Sequence, residues 1–462
     1  MHQATSDATP IPAGSSFFRW IDRRFEVSAR GSTLRREVIG GLAAFATMAY
    51  VLVVHPHILA AAGMDLKGMI TVTALAAAIF CCVMALWSNY PIMLAPAIGA
   101  DAYFAYQIVL GQNIPWPAAL GLVFYSGVLF FIIAVSGLRQ KILEAFPNEL
   151  KIAITAGIGL FIAFVGLRNA GLVVGNPKTF VALGNLLAPV PLLALGGVIL
   201  CVVLLIRRVP AAILLTILGI SAVGLLIPVA GGGMVTKMPA RAVDWPSSIE
   251  KLWFKLDFVY FWAHPSQSIL VVLSFLFSDL FGSLAALTAI CSRAGLVGAD
   301  GKLARLKQAL EADAAAGMGG ALLGTSTTHY FIESAVAVEE GARTGLASIV
   351  VGICFLLALF FNPIIQIIPA VATAPALIMI GIFMTEGLAT VNLRDLSVGA
   401  PTVITILLML LASVQDGLAI GFLSYVIIQI AIGRAKMLPV MTYGLAAIFL
   451  LHYVVPLLMP GK

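Results

Sequence analysis

The sequence predicts an all-α polytopic membrane protein of about 14 transmembrane segments, seven in each half, and three observations predict it. Only 10% of the 462 residues are charged and 61% are hydrophobic, with a mean hydropathy of +1.05. A soluble domain carries about 25% charged residues. Apolar windows close to the ~20 residues that cross a bilayer recur from residue 37 to residue 458. Two further apolar segments, 90–110 and 322–340, are interrupted by proline, glycine and polar residues. Each is the third span of its half if the chain divides within 230–265.

In chain order, residues 1–36 are a polar leader with Arg19, Arg23, Arg24, Arg30, Arg35 and Arg36. No short apolar core with a small-residue cleavage site follows, so it does not read as a signal peptide. It reads as a basic cytoplasmic segment resting on anionic lipid. Windows 37–55, 68–88 and 116–136, with the interrupted 90–110, supply spans 1–4 over 37–136. Windows 150–167, 190–207 and 210–229 supply spans 5–7 over 150–229. Residues 230–265 hold Gly231–Gly233, Pro239, Pro246, Trp245, Trp253 and Trp262, and read as an external connector with an interfacial aromatic stretch.

In the second half, 266–290, 303–322 (amphipathic at its start), the interrupted 322–340 and 345–362 supply spans 8–11 over 266–362. Windows 370–388, 399–413 and 416–433 supply spans 12–14 over 370–433. Segment 438–458 is one window more than two sevens need, either an extra C-terminal hydrophobic helix or one lying on the surface. Because seven is odd, the second half must be inverted relative to the first. Arg139/Lys141, Arg207/Arg208, Arg293 to Lys307 and Arg434/Lys436 fall in alternate loops, as the positive-inside rule requires for a cytoplasmic N-terminus in an inner (plasma) membrane. Topology thus accounts for the net charge of +6, and no nucleic-acid partner is implied.

Interrupted segments at matching positions of two halves point to a binding site near the bilayer midplane. Pro91 and Pro96 cannot sit inside a regular helix, and Gly99 permits the turn that begins one. Gly99–Phe104 and Thr327–Glu333 then read as two helix N-terminal regions whose free N–H groups, at Gly99, Ala100, Thr327 and Thr328, point into a gap. Four carboxylates lie within apolar runs: Asp101, Asp279, Glu333 and Asp416. An acid at membrane depth costs roughly 2.5–3.5 kcal/mol on insertion scales and usually marks a substrate or proton pathway. No intramembrane Lys or Arg offers Asp279 or Glu333 a partner. Desolvation favours the neutral carboxyl, so such an acid can exchange protons near neutral pH.

Asp416 reads either as a proton-linked acid or as a helix cap. His329 lies four residues before Glu333 and shares its face if both are helical. It is a relay, a substrate donor, or a hydroxyl-bonded core histidine. His55 and His57 flank Pro56 at the end of the first span and read as loop or interfacial residues. The five cysteines have no metal spacing and read as buried small hydrophobes. There is no metal motif, no phosphate-binding glycine loop and no nucleophile elbow, so neither a cofactor, direct ATP drive nor an enzyme is expected.

Several runs resemble the AzgA-type purine permeases of the nucleobase–ascorbate (nucleobase:cation symporter 2) family. They include Thr47-Met-Ala-Tyr-Val-Leu, Asn89-Tyr-Pro-Ile-Met-Leu-Ala-Pro, Leu167-Arg-Asn-Ala-Gly, Gly324-Thr-Ser-Thr, Ile332-Glu-Ser-Ala and Ala372-Thr-Ala-Pro-Ala-Leu, in order along residues 30–433. The resemblance implies two inverted repeats of seven spans, with a core domain (spans 1–4 and 8–11) moving against a gate domain (spans 5–7 and 12–14). It also implies import of a purine nucleobase with H+. Carried over by position, Asp279 and Glu333 match substrate-binding or proton-linked acids, and Asp416 a functional acid near the last gate spans. Phe277 and Phe281 are candidates to stack on a base, although aromatics at helical spacing usually pack.

The chain departs from that pattern at Asp101, where the family usually has Asn; at Gly282, where a second acid often follows; and at His329-Tyr330, which replace smaller residues. The expected reading is therefore a proton-coupled purine carrier, with Asp101 and His329 tuning which base. The rival readings are a carrier of another small nitrogenous or cationic solute, and a channel or anion exchanger on the same architecture. A homodimer is left open.

Overall fold

The computed structural model describes residues 16–228, 233–239, 241–298 and 303–458. Parts of the expected leader (1–15), of the connector (229–232 and 240) and of the loop at 299–302 lie outside them. The chain folds in order as α1 (Ser16–Phe25), α2 (Leu34–Met48), α3 (Val51–Ala61), α4 (Leu66–Trp87), β1 (Leu94–Pro96) and α5 (Ile98–Ala102). A π-helical stretch (Tyr103–Val109), α6 (Trp116–Ser136), α7 (Arg139–Ala145) and α8 (Asn148–Asn169) follow. A hairpin of β2 (Val173–Asn176) and β3 (Phe180–Leu183) leads to α9 (Pro189–Ile206) and α10 (Ala212–Gly224).

The second half runs α11 (Val259–Ala263), α12 (Pro265–Arg293), α13 (Leu306–Leu323), β4 (Thr328–Tyr330), α14 (Ser334–Glu339), α15 (Leu346–Ala358) and α16 (Asn362–Gln366). It ends with α17 (Ala370–Thr385), α18 (Leu396–Leu411), α19 (Val414–Ala431) and α20 (Val440–Leu458). Among the described residues, nine helices are long and apolar enough to cross a membrane by themselves. The remainder of the expected spans are short or broken, or, in α13, begin with Lys307, Glu311 and Asp313.

The third and tenth crossings are broken as expected, and their extended parts meet. β1 and β4 pair antiparallel with Ala95 opposite His329 and Pro96 opposite Thr328. Extended backbone survives at membrane depth only where protein satisfies its polar groups. Here Ala97 N donates to Thr327 O and Phe331 N donates to Met93 O, each at 3.0 Å. The chain turns into β4 through Gly324, whose φ of +95° ends α13 in the left-handed region. A Cβ there would stand 2.5 Å from Leu252 O, so conformation and space both require glycine.

Four expectations are corrected by these coordinates. His329 lies in β4 and Glu333 stands just before α14, so they do not share a helical face. Thr327 and Thr328 belong to the strand pairing, because α14 does not begin until Ser334; only Gly99 and Ala100 lie in a first helical turn. The first span does not end at residue 55. It breaks at Ala49–Tyr50 and resumes as α3 to Ala61, where His55 is fully buried rather than interfacial. Thr47 Oγ1 donates to Ala44 O at 2.8 Å just before the break, the kind of back-bond that bends helices.

The connector lies across one membrane face of the bundle. Asp257 N donates to Pro117 O, Phe254 N to Leu322 O and Asp244 N to Phe360 O, tying it to the ends of α6, α13 and the span built on α15. Trp245, Trp253 and Trp262 remain exposed along it. Elsewhere α8 packs closely on α17: a Cβ at Gly381 would stand 2.4 Å from Gly159 O, so small residues set the approach, as in membrane helix pairs generally. α20 does not lie apart on a surface. It packs on α19, α7 and α12, with Phe449 fully buried.

Candidate functional site

Three consecutive hydroxyls after Gly324 bind three different crossings. Thr325 Oγ1 lies 2.7 Å from His55 Nε2 of α3. Ser326 Oγ donates to Asp101 Oδ1 of α5. Thr327 Oγ1 donates to Asp279 Oδ2 of α12 at 2.6 Å. His55 Nδ1 completes the ring with Asp101 Oδ2 at 2.6 Å. The three residues form the bend between α13 and β4, outside any regular element, so one short segment reaches neighbours on several sides. A helix at the same place would spread these hydroxyls 100° apart around one axis.

Asp101, Asp279 and all three hydroxyls are buried. Asp101 spends both oxygens on His55 and Ser326, whereas Asp279 Oδ1 has no hydrogen-bond partner among the described residues. Thr328 Oγ1 is likewise buried without one. Asp279 stands within electrostatic reach of Asp101, of the half-buried His329 and of Asp313 on α13. His329 Nδ1 contacts only the adjoining Tyr330 O, at 3.1 Å. Glu333 accepts a 2.6 Å hydrogen bond from the buried Tyr50 hydroxyl at the α2–α3 break. Among the described residues neither Asp279 nor Glu333 forms an ion pair.

Gly99 faces the seam between this cluster and the α8–α17 pair. A Cβ at that position would lie 3.3 Å from Ile162 Cδ1, 3.5 Å from Ile158 Cγ2 and 3.7 Å from Met384 Cε. α5 begins there without a side-chain cap, leaving the first-turn N–H groups of Gly99 and Ala100 at the seam. The adjoining π-helical stretch reaches the α18–α19 turn. Gln107 Oε1 accepts from Val414 N at 2.7 Å, and Tyr103 OH donates to Gln415 Oε1 at 3.3 Å.

Two sets of expected site residues sit apart from the cluster. Phe277 and Phe281 stack on each other, 5.8 Å between centroids, in an aromatic group with Phe146, and Phe277 also meets Phe449. On α12 they flank Asp279 two residues either way, about 200° around the helix from it. Asp416 is held at the start of α19: Ser413 caps the helix by accepting from Asp416 N at 3.0 Å, and its Oγ donates to Asp416 Oδ2 at 2.5 Å. Tyr453 OH supplies a further bond to Asp416 Oδ1 at 2.7 Å.

Sequence reasoning missed His55, Tyr50 and Asp313. Asp313 is 1% exposed, and neither of its oxygens meets hydrogen-bond geometry with any group of the protein. Its signal was present: the last acid of α13 before its apolar half, on one face with Gly317 and Gly320, four and seven residues on. Those two glycines lie against Thr327 and Thr328 Oγ1, at 3.3 and 2.7 Å from their added Cβ positions.

Comparison with known proteins gives a consistent picture. Residues 35–416 match the Permease family (Xan_ur_permease). The guanine/hypoxanthine permease PbuG of Bacillus subtilis (strain 168) is 39% identical over 443 residues, 93% of this chain and 98% of that protein. The adenine permease AdeP of Escherichia coli (strain K12) is 36% identical over 441 residues, 94% and 96% of the two chains. Among solved structures, the transmembrane domain of the cyanobacterial bicarbonate transporter BicA superposes with a TM-score of 0.63 at 14% identity. It covers 83% of this chain and 97% of its own. SLC26A9 superposes with a TM-score of 0.62 at 12% identity, over 86% and 65%. At that identity these two neighbours speak for the fold alone.

Proposed function

Since the chain belongs to the Permease family (Xan_ur_permease), as a multi-pass membrane transporter and not an enzyme, we propose that it imports purine nucleobases together with protons. The observation that carries this reading is the hydroxyl run of residues 325–327, which gathers Asp101, Asp279 and His55 around one point where both broken crossings meet. Asp279 retains an unpartnered oxygen and Glu333 one bond from Tyr50. A carboxylate accepts two parallel N–H bonds from the amidine-like edge of a guanine ring, and the N–H groups of Gly99 and Ala100 complement carbonyl edges.

Buried acids without cations are the groups that load and release protons in membrane carriers. Asp279 and Asp313 are buried and Glu333 partly buried, none with an ion-pair partner among the described residues, and Asp279 and Glu333 are assigned to base and proton together. His329 and the His55–Asp101 pair tune which base is held. Asp416 is assigned to keeping the α18–α19 turn closed, because its oxygens are taken by Ser413 and Tyr453. The core spans, carrying the paired strands, move against the gate spans built around α8 and α17, with the N-terminus on the cytoplasmic side. A cationic solute fits less well: the extra acid that suggested it, Asp101, is already engaged by His55 and Ser326.

The test is uptake of tritiated hypoxanthine, guanine and adenine into cells lacking their own carriers, with and without a proton gradient. Glu333→Gln and Asp279→Asn are expected to lower accumulation at least tenfold while the protein still reaches the membrane. Undiminished wild-type accumulation after collapse of the gradient would remove the proton from the mechanism.

A further inference from the structure

A hollow with mixed polar and apolar walls lies in the same seam, nearer the connector's face. It measures about 200 Å³ and is lined by His57 and Ile58 of α3, Tyr106 of the π-helical stretch, Asn169 at the end of α8 and Thr373 at the start of α17. His57 is two residues beyond His55, and Tyr106 five beyond Asp101, so the hollow adjoins the buried cluster on the connector's side. Its walls come from both moving parts. One hydrogen bond crosses between them: Asn169 Nδ2 donates to Tyr106 OH at 2.9 Å.

We propose that this hollow is a docking subsite for the flat, fused-ring base on its way to the acids. The proposal rests on the nucleobase reading above and adds a place and a set of residues to it. Pockets for drug-sized ligands run from about 300 to 1,000 Å³, so 200 Å³ suits a single bicyclic base. The chemistry fits one too. Asn169 uses one N–H on Tyr106, leaving its Oδ1 and second N–H to meet an acceptor–donor edge. The Tyr106 ring offers a stacking face and Ile58 an apolar wall. Thr373 Oγ1 donates to Ala370 O at 2.7 Å, so toward a ligand it serves as an acceptor.

The experiment measures KM and kcat of tritiated-hypoxanthine uptake for Asn169→Ala, Tyr106→Phe and Thr373→Val. Affinity from the opposite face is measured in inside-out vesicles. Loss of a neutral hydrogen bond to the ligand is expected to raise uptake KM about tenfold for Asn169→Ala and severalfold for Thr373→Val. kcat and opposite-face affinity should stay within about twofold of wild type. A kcat change at constant KM would mean the pair is only a latch and would overturn the subsite. So would unchanged uptake KM in Asn169→Ala and Thr373→Val, or an equal loss of affinity from both faces. Asn169 is exposed, and Thr373→Val is nearly isosteric, so folding should survive in both. Wild-type protein that transports no purine would instead refute the nucleobase reading itself, a separate and recognisable outcome.

Discussion

At the scale of single residues, the hydroxyl run explains why an acid can stand at position 101. A carboxylate buried in helices needs donors, and His55 Nδ1 and Ser326 Oγ supply them. An amide in its place would keep the His55 donor satisfied through Oδ1 but would bring an N–H where Ser326 now donates. The expected outcome for Asp101→Asn is a folded transporter whose preference among hypoxanthine, guanine and adenine shifts by an order of magnitude or more, because sites discriminate hardest when a buried polar group is left unpaired. Competition of labelled uptake by the three unlabelled bases reads it directly. An unchanged rank order would remove Asp101 from specificity. The acid itself was legible in the sequence. Its histidine partner was not, because nothing in a linear apolar run shows that α3 continues six residues past His55.

Among the elements, the leader offers a prediction outside the membrane. Arg30 hydrogen-bonds the Glu26 carboxylate, and with Arg305 beside it this holds Glu26 below its usual pKa of 4.5. A lowered folded pKa means the contribution is fully present above pH 4.5 and is lost as pH falls through the lower folded value. Arg30 also donates to Asn89 O, Asn89 Nδ2 to Phe25 O and Arg24 to Leu86 O, so the leader is pinned to the α4 end of the core. The expected outcome is increased protease cleavage within residues 16–33 as the buffer is taken from pH 5 to below 4. Glu26→Gln should show that accessibility already at pH 7. Equal protection of both proteins across this range would mean the carboxylate does not hold the leader. The sequence displayed the basic residues of this segment, yet the acid that organises them reads as unremarkable until Arg305, 279 residues away, is seen beside it.

On the level of the whole molecule, transport by relative motion requires that Gly99 and α8 separate at some stage. A Cβ at Gly99 lies 3.5 Å from Ile158 Cγ2, so cysteines at the two positions face each other across the seam. In the double variant Gly99→Cys/Ile158→Cys, oxidation is expected to cross-link the two parts and lower uptake at least tenfold relative to the reduced double variant, with recovery on reduction, while oxidant changes the uptake of neither single variant. Full transport by quantitatively cross-linked protein would exclude motion across this seam. The five native cysteines carry no disulfide, so the single variants serve as controls.

The chain alone determined its class and most of its frame. Residues that must leave water dictate where helices cross, and prolines and glycines dictate where two crossings cannot remain helical. It also displayed four of the acids, since a charge in an apolar run is conspicuous without coordinates. Only the tertiary structure decided which groups are neighbours. Thr325, Ser326 and Thr327 serve three separate crossings because the bend between α13 and β4 carries them past all three. Phe277 and Phe281 join an aromatic core because a helix turns them away from Asp279. Those outcomes depend on contacts between segments hundreds of residues apart, which periodicity cannot encode.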